Sequence, residues 1–209
     1  MKAIEERTRK VREEEQVWDL KILLKYIQER FVERKELNIV RQMSISIILV
    51  MIYTNLRLAE IMRAKINWQD DNQQTIIIET FIKKKPAGRV KLTLNMMEKQ
   101  DLCPVKWFRL WMVGKTQYEE GEIWKRKGIQ QNFKAEQWSK KIREEMVKAG
   151  ISKKERVTSI RAASITRAFQ LGASSEQINR WTRHANTAST VQQYYDRANN
   201  DMIRQQLIL

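Results

Sequence analysis

Apolar residues recur at Val17, Leu20, Leu24, Ile27 and Phe31, the spacing that lays a single stripe along a helix. A second helix is predicted from about Leu37 to Tyr53, and its centre, ISIILVMIY, is apolar on every side, as in a helix buried all round. Asn55 breaks it. LRLAEIMRA then reads as a short third helix starting near Leu58, which puts Arg57 at a helix mouth. Beyond it the period changes. Thr75 to Ile82 is rich in β-branched residues, Lys83 to Arg89 contains Pro86 and Gly88, and Val90 to Leu94 alternates, so this stretch predicts a β-hairpin with a basic tip.

Helical periodicity returns with Pro104 at the head of CPVKWFRLWMV, followed by a mixed stretch broken by Gly114, Gly121 and Gly128. A helix is predicted from about Lys134 to Ala149, stopped by Gly150. Val157 to Leu171, Ser175 to Arg183 and Ser189 to Tyr195 read as three helices in series, with Gly172 and the NTAS segment as breaks. ANNDMIRQQLIL makes an amphipathic tail. The fold class expected is mainly α with a small antiparallel β-hairpin sheet, an α+β arrangement. Three regions are expected: a charged helix or linker stump over 1–16, one domain over 17–197 and an assembly helix over 198–209.

Composition changes the picture by its charge. Forty Lys and Arg stand against twenty-five Asp and Glu among 209 residues, a formal net charge of +15, which points to a polyanionic partner, nucleic acid before an acidic membrane surface. The longest apolar run, Ile47 to Tyr53, is far short of the roughly 20 residues that span a bilayer. The charged start MKAIEERTRKVREEE has no apolar segment of signal-peptide type. An intracellular protein, cytoplasmic or nuclear, is expected. Cys103 is the single cysteine, and it reads as a small buried hydrophobe at a helix start. The seven tryptophans read as core rather than as base-stacking platforms, Trp107 and Trp111 one helical turn apart, with Trp68, Trp138 and Trp181 alongside.

The candidate chemistry lies in a few spaced residues. Arg57 stands in YTNLRLAEI and Arg161 in TSIRAASITRAF; His184, the only histidine, precedes Tyr194 by ten residues in HANTASTVQQYY. In-line attack on a phosphodiester builds negative charge on its equatorial oxygens, which two arginines suit, while a tyrosine can serve as nucleophile. Singly each has a plainer reading: an i, i+3 surface pair for Arg57 and Glu60, a solvated helix arginine for Arg161, a surface or core histidine for His184.

In order along the chain, however, TNLRLAEI resembles the TGLRxSEL box of the tyrosine recombinase, or phage integrase, catalytic domain. SIRAASITRAFQLGASSEQINRWTRHANTASTVQQYY resembles its HxxR, GH and tyrosine segments. The resemblance covers roughly Val17 to the C-terminus. It implies that Arg57 and Arg161 clamp the scissile phosphate, that Glu60 orients Arg57, and that His184 donates a hydrogen bond to that phosphate. Tyr194 is implied as the nucleophile, since it keeps the family's five-residue interval from Ser189, with Tyr195 as the competitor. A lysine of the hairpin is implied to protonate the departing 5′-oxygen. Counting back from the second strand favours Lys84, with Lys83 and Lys85 as alternatives, and Arg89, Lys91 and Arg183 are expected to contact DNA.

The chain departs from the family pattern at two residues and in one interval, His184 to Tyr194 being one residue longer than in most members. Thr158 stands where the HxxR box has histidine, which keeps a hydrogen-bond donor but not imidazole proton transfer. Arg183 replaces the glycine of the GH box. The activity implied is site-specific breakage and rejoining of double-stranded DNA through a 3′-phosphotyrosyl link, by a homo-oligomer, a tetramer, on DNA, with no cofactor and no metal. A catalytically impaired DNA-binding relative and a type IB topoisomerase-like relaxing enzyme are the alternatives. Family members usually carry an N-terminal DNA-clamping domain as well, which residues 1–16 cannot replace, so a fragment or minimal form is expected.

Overall fold

A computed structural model describes residues 17–83, 87–112, 117–118, 122–124 and 133–183. Among these described residues seven α-helices run in chain order as α1 (Leu20–Val32), α2 (Ile39–Thr54), α3 (Leu58–Met62), α4 (Pro104–Trp111), α5 (Ala135–Lys148), α6 (Ser159–Gln170) and α7 (Ser175–Thr182). Four strands, β1 (Lys65–Trp68), β2 (Thr75–Ile82), β3 (Gly88–Asn95) and β4 (Gln117–Tyr118), form one antiparallel sheet in the order β3-β2-β1-β4.

Helix α2 is the centre of the molecule. Its start is fixed by Asn38, whose side-chain oxygen accepts the Arg41 N–H at 3.0 Å, satisfying one of the otherwise orphaned donors of the first turn. From Gln42 to Ile52 every residue is buried. The hydroxyls of Ser44, Ser46 and Thr54 return to the carbonyls of Val40, Gln42 and Val50, so these polar groups are buried without losing their hydrogen bonds. The helix packs against α4, α5 and α6 and ends at Asn55, which adopts φ 55° and donates its N–H to the Met51 carbonyl. Asparagine is among the few non-glycine residues that take this left-handed turn readily. The turn buries Leu56 and delivers Arg57 to the mouth of α3.

Helix α1 starts at Leu20, later than the apolar stripe from Val17 indicates, because the Asp19 side chain caps it through the Lys21 N–H. It is held to α2 and α5 by a buried carboxylate. Glu145 accepts from Tyr26 Oη at 2.5 Å, from Arg41 Nε at 3.1 Å and from Lys148 Nζ at 2.7 Å. Burial disfavours the ionised carboxyl, but these hydrogen bonds outweigh it and hold Glu145 below the ordinary carboxylate range. Tyr26 is pushed up to about 12, by burial first and by Glu145 second.

The expected hairpin is the β2–β3 pair, in register from Thr75↔Asn95 to Ile82↔Gly88. The sheet is wider than the hairpin. β1 pairs with Ile76 to Glu79 of β2, and β4 adds to its other side. Ile66, Trp68, Ile76, Ile78 and Leu94 face the core. Trp107, Trp111, Trp124 and Trp138 are buried, and Trp111, Trp124 and Trp138 form a chain of ring contacts with Phe108. Trp111 Nε1 donates to Ser46 Oγ and Trp124 Nε1 to the Ile61 carbonyl, which lets the indoles be buried with those N–H groups satisfied. Cys103 is buried at the N-cap of α4, as expected.

Candidate phosphate-binding site

The site is built on helix ends. Arg57 occupies the N-cap position of α3 in extended backbone, φ −75° and ψ 151°. Its own N–H donates to Glu60 Oε2 at 2.8 Å and its Nη1 to Glu60 Oε1 at 2.9 Å. One carboxylate thus fixes both the backbone and the side chain of Arg57. Glu60 is buried and Arg57 about a third exposed, at 4% and 35% of the side chain, so the pair presents its cationic member to solvent. The Thr80 hydroxyl donates to the Glu60 carbonyl at 2.7 Å, and Arg63 Nε donates to the Phe81 carbonyl. Both bonds tie α3 to β2.

Arg161 lies in the first turn of α6 and is buried. Its Nη2 donates to the Thr182 carbonyl at 3.4 Å, a long bond that joins α6 to the last turn of α7. The next residue, Arg183, ends α7 in the left-handed region at φ 61°, one residue earlier than the sequence pattern predicts. Its Nη2 donates to the Thr54 carbonyl at 2.7 Å, while Trp181 Nε1 donates to the neighbouring Tyr53 carbonyl at 2.8 Å. The last turn of α7 is therefore fastened to the last turn of α2 through two consecutive carbonyls. Those carbonyls carry the negative end of the α2 dipole, which favours a cation there. Burial pushes the Arg183 guanidinium below its ordinary value; Glu60 counteracts this and Arg57 adds to it. Arg183 thus lies within electrostatic reach of both.

The structure accordingly brings Arg57, Glu60 and Arg183 together, with Arg161 attached through Thr182. Thr158 sits exposed at the N-cap of α6 and makes no capping bond with its side chain. Lys83 is exposed just past β2, and Arg89 and Lys91 lie on the exposed face of β3, where Lys91 Nζ pairs with Glu79 at 3.2 Å. Lys84, Lys85, His184, Tyr194 and Tyr195 lie outside the described residues, as do the segments 1–16 and 198–209.

Beside these arginines opens a cleft of about 450 Å3 between β3 and the ends of α2 and α7, lined among others by Tyr53, Arg89, Lys91, Arg180, Trp181 and Arg183. Sequence reasoning missed this cleft and the α2–α7 fastening, because Trp181 and Arg183 meet carbonyls 128 and 129 positions away. Trp181 is only half-buried and lines the cleft, unlike the core tryptophans with which the sequence pattern groups it. Among the described residues no group of three or more His, Cys, Asp or Glu stands together as a metal site.

The profile of the Phage integrase family matches residues 21–201. The chain belongs to the phage integrase family. Among solved structures, the crystal structure of XerA recombinase shares its fold, with a TM-score of 0.56 at 19% identity over 86% of this chain and 60% of that one. This phage integrase family member therefore spans 60% of the length of that recombinase chain. No curated protein sequence matches it. Among its described residues, no helix is long and apolar enough to cross a membrane.

Proposed function

We propose that the chain is a tyrosine recombinase that breaks and rejoins double-stranded DNA. The Tyr194 oxygen attacks a phosphorus atom of the backbone, the P–O5′ bond breaks as the P–O(Tyr) bond forms, and a hairpin lysine, Lys84, protonates the departing 5′-oxygen. The link is then reversed by a 5′-hydroxyl of the partner strand, which restores the phosphodiester and the tyrosine. One phosphate ester replaces another, so the exchange needs no external energy source. Arg57 and Arg161 hold the phosphate oxygens, His184 adds a hydrogen bond, and Arg89, Lys91 and Arg183 contact the duplex. Assembly on DNA is as a homo-tetramer, with the segment 198–209 as the assembly element.

The observation that carries this reading is the gathering of Arg57, Glu60 and Arg183, with Arg161 attached through Thr182, beside a basic cleft. Arginines placed on helix ends are pre-set donors for charge that develops on a phosphate. A second reading, a DNA-binding relative without turnover, is favoured by Thr158, which cannot transfer protons as imidazole does.

A nicked suicide substrate tests both. Trapping of the cleaved strand as a protein–DNA adduct, lost in Tyr194→Phe and retained in Tyr195→Phe, is the result expected. Retention in Tyr194→Phe with loss in Tyr195→Phe would move the nucleophile by one residue. DNA binding without any adduct would establish the second reading, and adducts that survive the double variant would end the tyrosine mechanism.

A further inference from the structure

The cleft between β3 and the ends of α2 and α7 also holds two groups, Arg180 and Trp181, that the proposed duplex contacts of Arg89, Lys91 and Arg183 leave unused. A volume of about 450 Å3 falls within the roughly 300–1,000 Å3 of sites that take a small ligand. Its walls specify the chemistry of the occupant. Four cations line it, Arg89, Lys91, Arg180 and Arg183, and no carboxylate does. Trp181 lines it as well, its indole fixed by the bond from Nε1 to the Tyr53 carbonyl. The opposite wall is β3, the edge strand of the sheet, and an edge strand presents main-chain donors and acceptors. A planar aromatic group with hydrogen-bonding edges and an attached anion suits the cations, the indole and the edge strand together.

We propose that this cleft takes a single unpaired DNA nucleotide, its base against Trp181 and its phosphate on Arg180 and Arg89. An unpaired base offers a free face for stacking and, for the β3 backbone, the Watson–Crick edge that pairing occupies within a duplex. The inference rests on the cleavage reading above: breaking a strand frees a 5′-terminal nucleotide, and that nucleotide must leave its complement before it can be exchanged. Arg180 is exposed and forms no part of the phosphate clamp, so the cleft acts beside the scissile phosphate rather than on it.

The test compares two duplexes of equal length, one fully paired and one carrying a single unpaired 2-aminopurine nucleotide, by fluorescence anisotropy with the full chain. Binding to the unpaired site is expected to be roughly tenfold tighter, within the range stacking supplies, with quenching of the 2-aminopurine signal. Arg180→Gln should abolish the preference and leave affinity for the paired duplex unchanged, and Trp181→Leu should abolish the preference. Arg180→Gln alters only an exposed side chain, so its result does not depend on how well Trp181→Leu folds. Equal affinity for the two DNAs, with duplex binding intact, would overturn the cleft assignment alone. No affinity for either DNA would overturn the cleavage reading with it. Saturable binding of free deoxyadenosine monophosphate, without preference for the unpaired site, would assign the cleft to a free nucleotide and overturn a DNA-borne occupant.

Discussion

Arg183 donates through Nη2 to the carbonyl of Thr54 at 2.7 Å, so the residue that precedes His184 in sequence is fastened to the final turn of the central helix. That bond is made from a strained backbone, since Arg183 adopts φ 61° where a non-glycine residue pays about 1 kcal/mol. The two effects oppose each other and can be separated. Arg183→Ala loses the bond and keeps the strain, whereas Arg183→Gly loses the bond and relieves the strain. Urea unfolding should rank wild type, glycine variant, alanine variant in falling stability, the last two about 0.5–1 kcal/mol apart. An alanine variant as stable as the glycine variant would show that the turn is not under strain.

Arg57→Lys and Arg161→Lys should each lower DNA cleavage by two orders of magnitude or more, corresponding to ~3 kcal/mol for a lost transition-state donor. Lysine keeps the charge but not the planar fork. Arg57 is the cleaner experiment because it is partly exposed and Arg161 is buried. Duplex affinity should change much less than the cleavage rate in single-turnover assays, and near wild-type rates in both variants would remove the clamp assignment.

The Glu145 cluster predicts how stability depends on pH. The folded carboxyl lies below its ordinary value, so its contribution is present above the unfolded pKa and is lost as pH falls through the lowered folded one. Tyr26, raised to about 12, contributes stability below about 10, its unfolded value, that is lost as pH rises through 12. Glu145→Gln should cost roughly 3 kcal/mol at neutral pH, as for breaking a buried ion pair from one side, and should flatten the acid limb of the stability curve. An unchanged acid limb in denaturation measured across pH would place that titration elsewhere.

Thr158→His, which restores the residue of the HxxR box, should leave cleavage unchanged or raise it. The position is exposed and its side chain caps nothing, so an imidazole can be added without displacing a packed group. A large loss of activity together with a lower melting temperature would reveal a packing role for the threonine.

Local signals made much of this legible. Asn55 ends α2, Pro104 opens α4, and β-branched residues mark β2. Arg57 and Glu60 could be paired from their spacing alone, because three residues on a helix bring side chains together. What escaped depends on partners distant in sequence. Lys65–Trp68 is too short for its alternation to register, and it becomes a strand by pairing with β2. Trp181 looked like a core residue because helical spacing tells which face a side chain shares but not whether that face is covered. The cleft it lines forms only when β3, α2 and α7 meet.

Helix α2 joins two fixed points: near its first turn Arg41 grips Glu145, and at its last turn Thr54 receives Arg183. The thirteen steps from Arg41 to Thr54 span ~20 Å at 1.5 Å each, which makes the helix a ruler as well as a core. Replacing one apolar side chain along it by another of like size changes packing but leaves the distance alone. Inserting or deleting a single residue turns everything beyond by about 100° and shifts it by about 1.5 Å, swinging the Tyr53 and Thr54 carbonyls away from Trp181 and Arg183. The length of this helix is therefore far less free to vary than its composition, although none of its own side chains needs to touch a phosphate.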